Sequence, residues 1–179
     1  NMRNLIMDML DLTQIESGKK SRELSNINLI DIAKSSIDMM KPYAIQKDVT
    51  IEFHSDKDIY VDADPGDIEI VFNNLLSNAV KYNKDNGRVD VKFTEDQSNG
   101  IVEISVADTG IGMTQEEKQK LFQEFFRVKN EKTKHITGSG LGLSIAKKVI
   151  DLYKGEINVE TEPEKGTTFY VQFPIKSDG

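Results

Sequence analysis

Residues 64–82 constrain this chain more than any other stretch. Asp64 is a natural helix N-cap, and Pro65 fits the first turn. Ile68, Val71, Phe72, Leu75, Leu76 and Ala79 then recur at helical spacing. Asn74, Asn78 and Lys81 fall at i, i+4 and i+7, so they share a face away from Leu75, Leu76 and Ala79. Asparagine is a poor helix-interior residue because its amide competes for the backbone, so two on one face ask for a reason. One side of this helix must enter a core while the other offers amides and an ammonium. The offered face is either a solvated surface or a site where an Asn oxygen ligates Mg²⁺ and the lysine meets phosphate.

Around this helix, periods of two and of 3.6 alternate in mixed order. Residues 1–20 read as one amphipathic helix with Met2, Leu5, Met9, Leu12 and Ile15 as its stripe, widened by Ile6 and Leu10. Such a helix calls for a partner, because it cannot bury its stripe alone. Residues 22–27 read as a connection with a brief strand. A second helix is predicted over about 29–46, with Ile32, Ala33, Ile37 and Met40 inward and Pro42 bending it or marking a boundary. Strands are predicted at 49–53, 59–61, 89–93, 101–106, 156–160 and 167–173, a short helix at 114–122 and a longer one at 141–153. After residue 28 this order gives about five strands, the short 59–61 piece and three main helices. It fits an α+β fold, helices packed on one face of a largely antiparallel sheet.

Composition narrows the function. A chain of 179 residues suits one domain with a short appendage. Lys plus Arg number 23 and Asp plus Glu 30, a net charge of -7. That balance argues against a nucleic-acid binder, which needs a basic surface. It leaves room for a nucleotide held by a metal ion and a few local cations. With no cysteine, a disulfide scaffold, a thiolate zinc site and a cysteine nucleophile are excluded. No apolar run approaches the roughly 20 residues of a membrane span. No signal-peptide pattern is present, and a chain opening at Asn1 reads as cut from something longer.

Two further segments carry glycines at element ends. Asp108-Thr-Gly110-Ile-Gly112 follows a strand directly. Glycine lets a backbone approach a ligand, and a carboxylate at a strand end can accept from an exocyclic amine; the plain alternative is a tight turn capped by Asp. Gly138-Ser-Gly140-Leu-Gly142-Leu143 runs straight into a helix, whose free N–H groups and dipole suit an anion. It lacks the G-K-[ST] of a P-loop, and no strand leads into it as a dinucleotide fingerprint requires. The alternative here is a flexible linker and a cap. The polar residues 128–137 before it read as a mobile lid. Each segment alone is dismissible; all three in this order are not.

The order resembles the ATP-binding catalytic domain of sensor histidine kinases, in the GHKL superfamily with DNA gyrase, a heat-shock chaperone and a mismatch-repair ATPase. Residues 74–82 resemble its N box, 108–112 its first glycine box, 138–143 its second and Lys165-Gly166-Thr167 its last glycine element. Phe122-Gln-Glu-Phe125-Phe126-Arg127 resembles the F box that opens an ATP lid. The fold implied is the Bergerat α/β sandwich, a mixed, mostly antiparallel sheet covered by three helices and here preceded by one long helix. The resemblance implies ATP and Mg²⁺ as ligands. It assigns Asn78 to Mg²⁺ with Asn74 beside it, Lys81 to phosphate, and Tyr82 to packing near the nucleotide. It assigns Asp108 to the adenine amine, Gly112 to close approach of the base, and Arg127 to the γ-phosphate on lid closure. Gly138, Gly140 and Gly142 would admit the triphosphate, with Gly110, Ile111, Ser139, Leu141, Leu143 and Thr168 completing the set. One position departs: Ile70 stands where many members carry an acidic or amide residue, and Glu69 falls on another face.

Residues 10–18 resemble the second helix of the family's dimerisation and phosphoacceptor hairpin, so residues 1–22 are expected to belong to it and 23–179 to the catalytic domain. The H-E/D-x-x-x-P box of the first helix does not occur; His54 reads as a strand-end surface residue and His135 as a lid residue. The resemblance thus implies a cytoplasmic chain, part of a longer sensor, that binds ATP and passes its γ-phosphate to a histidine elsewhere. Onward transfer would go to a response-regulator Asp, within a homodimeric kinase. The alternative is a nucleotide-binding regulatory module without phosphotransfer.

Overall fold

The structure is a computed structural model that describes residues 2–175; Asn1, at the head of the expected first helix, and residues 176–179, at the tail of the expected catalytic domain, lie outside the described residues. The element order is α1 (Met2–Ser17), β1 (Ser25–Asn28), α2 (Leu29–Gln46), β2 (Thr50–His54), β3 (Tyr60–Ala63) and α3 (Pro65–Lys81). Then follow β4 (Arg88–Asp96), β5 (Ile101–Asp108), α4 (Gln115–Lys120), α5 (Gly142–Leu152), β6 (Glu156–Glu162) and β7 (Gly166–Pro174). Local chemistry sets the helix starts. Asn28 and Asp64 accept from Ile30 N and Gly66 N at the heads of α2 and α3, and Thr114 and Glu117 form a capping box on α4.

Five strands pair in the order β2-β4-β5-β7-β6; β2 and β4 are parallel and the other pairs antiparallel. Alternation selects the buried face. Val89, Val91 and Phe93 of β4 lie on it with Val102, Ile104 and Val106 of β5 and Phe169, Val171 and Phe173 of β7. Phe72, Leu75 and Leu76 of α3 and Ile145 and Ile150 of α5 join the same core, with the Phe72 and Phe93 rings 6.0 Å apart. The chain is thus the expected sandwich, one sheet face under helices. β1 and β3 pair antiparallel as a separate two-stranded sheet.

Pro42, expected to bend the second helix or mark a boundary, lies inside α2, which runs through it to the expected end at Gln46. Pro42 and Asp38 are both exposed, so water can satisfy the carbonyl that proline cannot serve. The stripe of α1 is only partly used. Leu12 and Ile15 are buried and Leu5 is half-buried, but Met2, Ile6, Met9 and Leu10 are exposed, because α1 meets the body chiefly along α5.

A buried ionic knot fixes the chain between α1 and β1. The fully buried Asp67 accepts from Lys20 Nζ (2.8 Å), Arg22 Nε (2.9 Å) and the Tyr153 hydroxyl (2.6 Å). Burial alone would raise this carboxyl; the Lys20 bond, with Tyr153 and Arg22, turns its pKa below the usual carboxylate range.

Candidate nucleotide-binding site

A cavity of about 910 Å³ opens between α3, the β5–α4 loop, the segment from Phe125 to Gly142 and α1. Its size lies within the range of small-molecule sites. Asn74, Asn78 and Lys81 line one wall, which places the polar face of α3 on the cavity and its apolar face in the core. Asn74 Nδ2 donates to Ile70 O (2.8 Å), so its amide is oriented from its own helix. The C-terminal turn of α3 is held from outside: Lys47 Nζ donates to Lys81 O (2.5 Å) and Ile111 N to Tyr82 O (3.0 Å). Protein atoms crowd the Lys81 ammonium and Arg127 repels it, lowering its pKa; Asp8 opposes both.

Asp108 ends β5 at the cavity floor. Gly110 N (2.8 Å) and Thr167 N (3.2 Å) both donate to its Oδ1. Burial nevertheless dominates and pushes the carboxyl up to about 6. Gly112 has φ +62, and a Cβ there would stand 1.9 Å from Glu162 O, so only glycine fits between the two loops.

Arg127 opens the segment that leads to the second glycine run. Its Nη2 donates to Ile136 O, and its buried Nε has no partner among the described residues. The segment folds on itself: Asn130 N donates to Thr133 Oγ1 (2.9 Å), which donates to Val128 O (2.7 Å). A run without periodicity is thus a compact turn around the buried Thr133. Gly140, at φ +78, packs on Phe125, where a Cβ would come within 2.8 Å of the backbone. Gly138, Ser139, Gly140, Gly142 and Leu143 line the cavity at the head of α5, beside Ile111, Gly112 and Tyr82.

Three residues of the expected set stand outside the lining. Gly110 lies behind Asp108, to which its N–H is bonded. Leu141 is fully buried in the core, with its N–H donating to Ser139 Oγ (3.1 Å). Thr168 points to the opposite face of β7, and Thr167 lines the cavity in its place. Strand parity carries that signal, because Thr167 shares a face with Phe169, Val171 and Phe173. Leu5 and Asp8 of α1 and Met40 and Tyr43 of α2 also line the cavity, and nothing local in their sequence indicates it. His54 and His135 are both exposed and lie outside the lining. His54 joins Glu52 and Asp90 in a cluster whose two carboxylates are already bonded by Arg88.

Residues 63–177 match the family described as Histidine kinase-, DNA gyrase B-, and HSP90-like ATPase. The chain belongs to that family. Sensor kinases are among its relatives: it is 33% identical over 178 residues to the autoinducer 2 sensor kinase/phosphatase LuxQ of Vibrio vulnificus, covering 96% of this chain and 21% of LuxQ. It is 31% identical over 180 residues to the sensor histidine kinase WalK of Bacillus subtilis, covering 99% of this chain and 29% of WalK. The chain therefore spans between a fifth and a third of these relatives. Among solved structures, the catalytic domain of histidine kinase ThkA matches with a TM-score of 0.73 at 28% identity, over 85% of this chain and 95% of that one. Full-length ShkA in complex with AMPPNP matches with a TM-score of 0.81 at 25% identity, over 95% of this chain and 35% of that one. ThkA in complex with the response regulator TrrA matches with a TM-score of 0.75 at 25% identity, over 99% of this chain and 50% of that one. Membership in this ATPase family carries ATP binding with it. No helix among the described residues is long and apolar enough to cross a membrane.

Proposed function

We propose that this chain is the ATP-binding catalytic part of a sensor histidine kinase, acting in the cytoplasm of a homodimeric signalling protein. The observation that carries the reading is one cavity lined jointly by the Asn74/Asn78/Lys81 face, Asp108, Arg127 and the glycine head of α5. In this reading adenine lies against Gly112 and its amine donates to Asp108. The triphosphate runs toward Gly138, Ser139, Gly140 and Gly142, where backbone N–H groups and the α5 dipole favour negative charge. Lys81 and Arg127 add positive charge, and Tyr82 and Ile111 flank the nucleotide.

The cavity suits Mg²⁺ held with the phosphates. The amide oxygen of Asn78 is a hard, neutral donor on the lining, and Mg²⁺ prefers to keep waters and phosphate oxygens as its other ligands. When bound, the ion neutralises phosphate charge. Phosphoryl transfer asks the protein mainly for positioning and electrostatics. An acceptor imidazole nitrogen attacks the γ-phosphorus in line, the bond to the β,γ-bridging oxygen breaks, and ADP leaves. We assign the acceptor to a histidine other than His54 and His135. Residues 1–22 serve as the second helix of the acceptor hairpin, residues 23–179 as the catalytic domain, and a response-regulator Asp as the next acceptor.

The test supplies the chain with γ-labelled Mg-ATP and a separate histidine-bearing helical hairpin. Acid-labile label on the hairpin is expected, lost in Asn78→Ala. Tight ATP binding with no transfer to any acceptor hairpin would contradict the kinase reading.

A further inference from the structure

Helix α1 sends a carboxylate into the end of the cavity that is richest in anion donors. Asp8, half-buried, lines the cavity and accepts from the Ser139 hydroxyl at 2.5 Å. That hydroxyl in turn accepts from Leu141 N at the head of α5 (3.1 Å). A chain of hydrogen bonds thus runs from Asp8 to the positive end of an 11-residue helix. Asp8 is also the charge that favours the Lys81 ammonium against its crowding and against Arg127. A carboxylate that draws on Ser139, Lys81 and a helix N-terminus stands where an anionic ligand would stand.

We propose that Asp8 is a resident counter-ion of the phosphate end of the cavity, so that docking of α1 and binding of a nucleoside triphosphate compete for the same donors. This rests on the nucleotide reading given above. The competition is possible because little of α1 is buried. Leu12 and Ile15 are its buried side chains, and its ion pair from Glu16 to Lys148 (2.9 Å) is exposed, a kind of bond worth little. Asp11, one turn after Asp8, adds to the negative charge on this side; burial and Asp8 together raise its own carboxyl. A triphosphate brings more negative charge to Ser139 and Lys81 than one carboxylate does. ATP therefore loosens α1, and the position of α1 sets ATP affinity by the same factor, since coupling between two sites is reciprocal. ADP, one phosphate shorter, loosens it less.

The experiment is calorimetric titration of Mg-ATP into the 179-residue chain, Asp8→Asn and Glu16→Ala, with hydrogen exchange of the α1 amides read at each end point. Asp8→Asn is expected to bind Mg-ATP about five- to tenfold more tightly, a modest allosteric coupling. Glu16→Ala, which loosens α1 without touching Ser139, is expected to shift the same way by about twofold. Mg-ATP is expected to speed exchange in α1 of the unaltered chain, and Mg-ADP to do so less. Equal or weaker binding by Asp8→Asn overturns the competition, as does α1 exchange unmoved by saturating Mg-ATP. If none of the three proteins binds nucleotide, the nucleotide reading itself falls and the competition falls with it.

Discussion

Gly142 rests directly against Asn74: a Cβ at 142 would stand 2.5 Å from Asn74 Oδ1. The first residue of α5 therefore has to be small for the head of that helix to reach the amide face of α3. Gly142→Ala forces one of them away. Alanine adds about 0.5–1 kcal/mol of helix propensity, which offsets part of the clash. The expected outcome is a fall of about tenfold in Mg-ATP affinity, a loss of about 1.4 kcal/mol in binding, with a thermal midpoint within about 4 °C of the unaltered chain. Calorimetry and thermal unfolding check the pair.

Asp108 gives a pH signature. Its folded-state pKa, about 6, exceeds the ordinary 3.8, so the folded state holds the proton more tightly. The stability this group contributes is fully present below the unfolded value and is lost as pH rises through about 6. At neutral pH the buried carboxylate costs on the order of 3 kcal/mol. Asp108→Asn should therefore raise the thermal midpoint at pH 8 by several degrees and change it little at pH 4. An equal gain at both pH values would contradict the assignment.

The knot at Asp67 behaves in the opposite sense. Its carboxyl is held below the ordinary range, so its stabilisation is present above the unfolded value of 3.8 and is lost as pH falls through the lowered one. Asp67→Ala leaves two cations around an emptied site and should cost about 3–5 kcal/mol. Tyr153→Phe removes a hydroxyl that donates to Asp67 and accepts from Asp64 N, and should cost about 1–3 kcal/mol. Urea unfolding at pH 7 and pH 3 reads both, with the Asp67→Ala deficit smaller at pH 3.

Among the described residues Arg127 donates to Ile136 O within its own segment and its Nε has no partner. In the proposed function its guanidinium meets the γ-phosphate as charge develops. Arg127→Ala should slow phosphotransfer by about 10² or more while weakening ATP binding by less than about tenfold, because an electrostatic donor acts mostly in the transition state. Equal losses in binding and in turnover would contradict that role.

Elements with local signals were legible. Asp64-Pro65 marks the head of α3, and Asn28 caps an α2 whose expected range of about 29–46 agrees with Leu29–Gln46. The polar face of α3 was legible because two interior asparagines contradict helix propensity. What was not legible depends on distant pairing. The Asp8–Ser139 bond joins residues 131 apart in sequence, and Tyr153–Asp67 joins residues 86 apart. No spacing rule reaches across such distances. Thr167 in place of Thr168 is a different case: alternation along β7 puts Thr167 on the buried side with Phe169, and the glycine element alone does not distinguish the two threonines.

In the proposed function adenine binds at Asp108 and the triphosphate at the head of α5, and calorimetric titration of Mg-ATP into the unaltered chain and into Asp108→Ala tests both placements. Saturable one-site binding in the first, weakened at least about a hundredfold in the second, is the predicted result. Indistinguishable isotherms, or no binding by the unaltered chain, would contradict them.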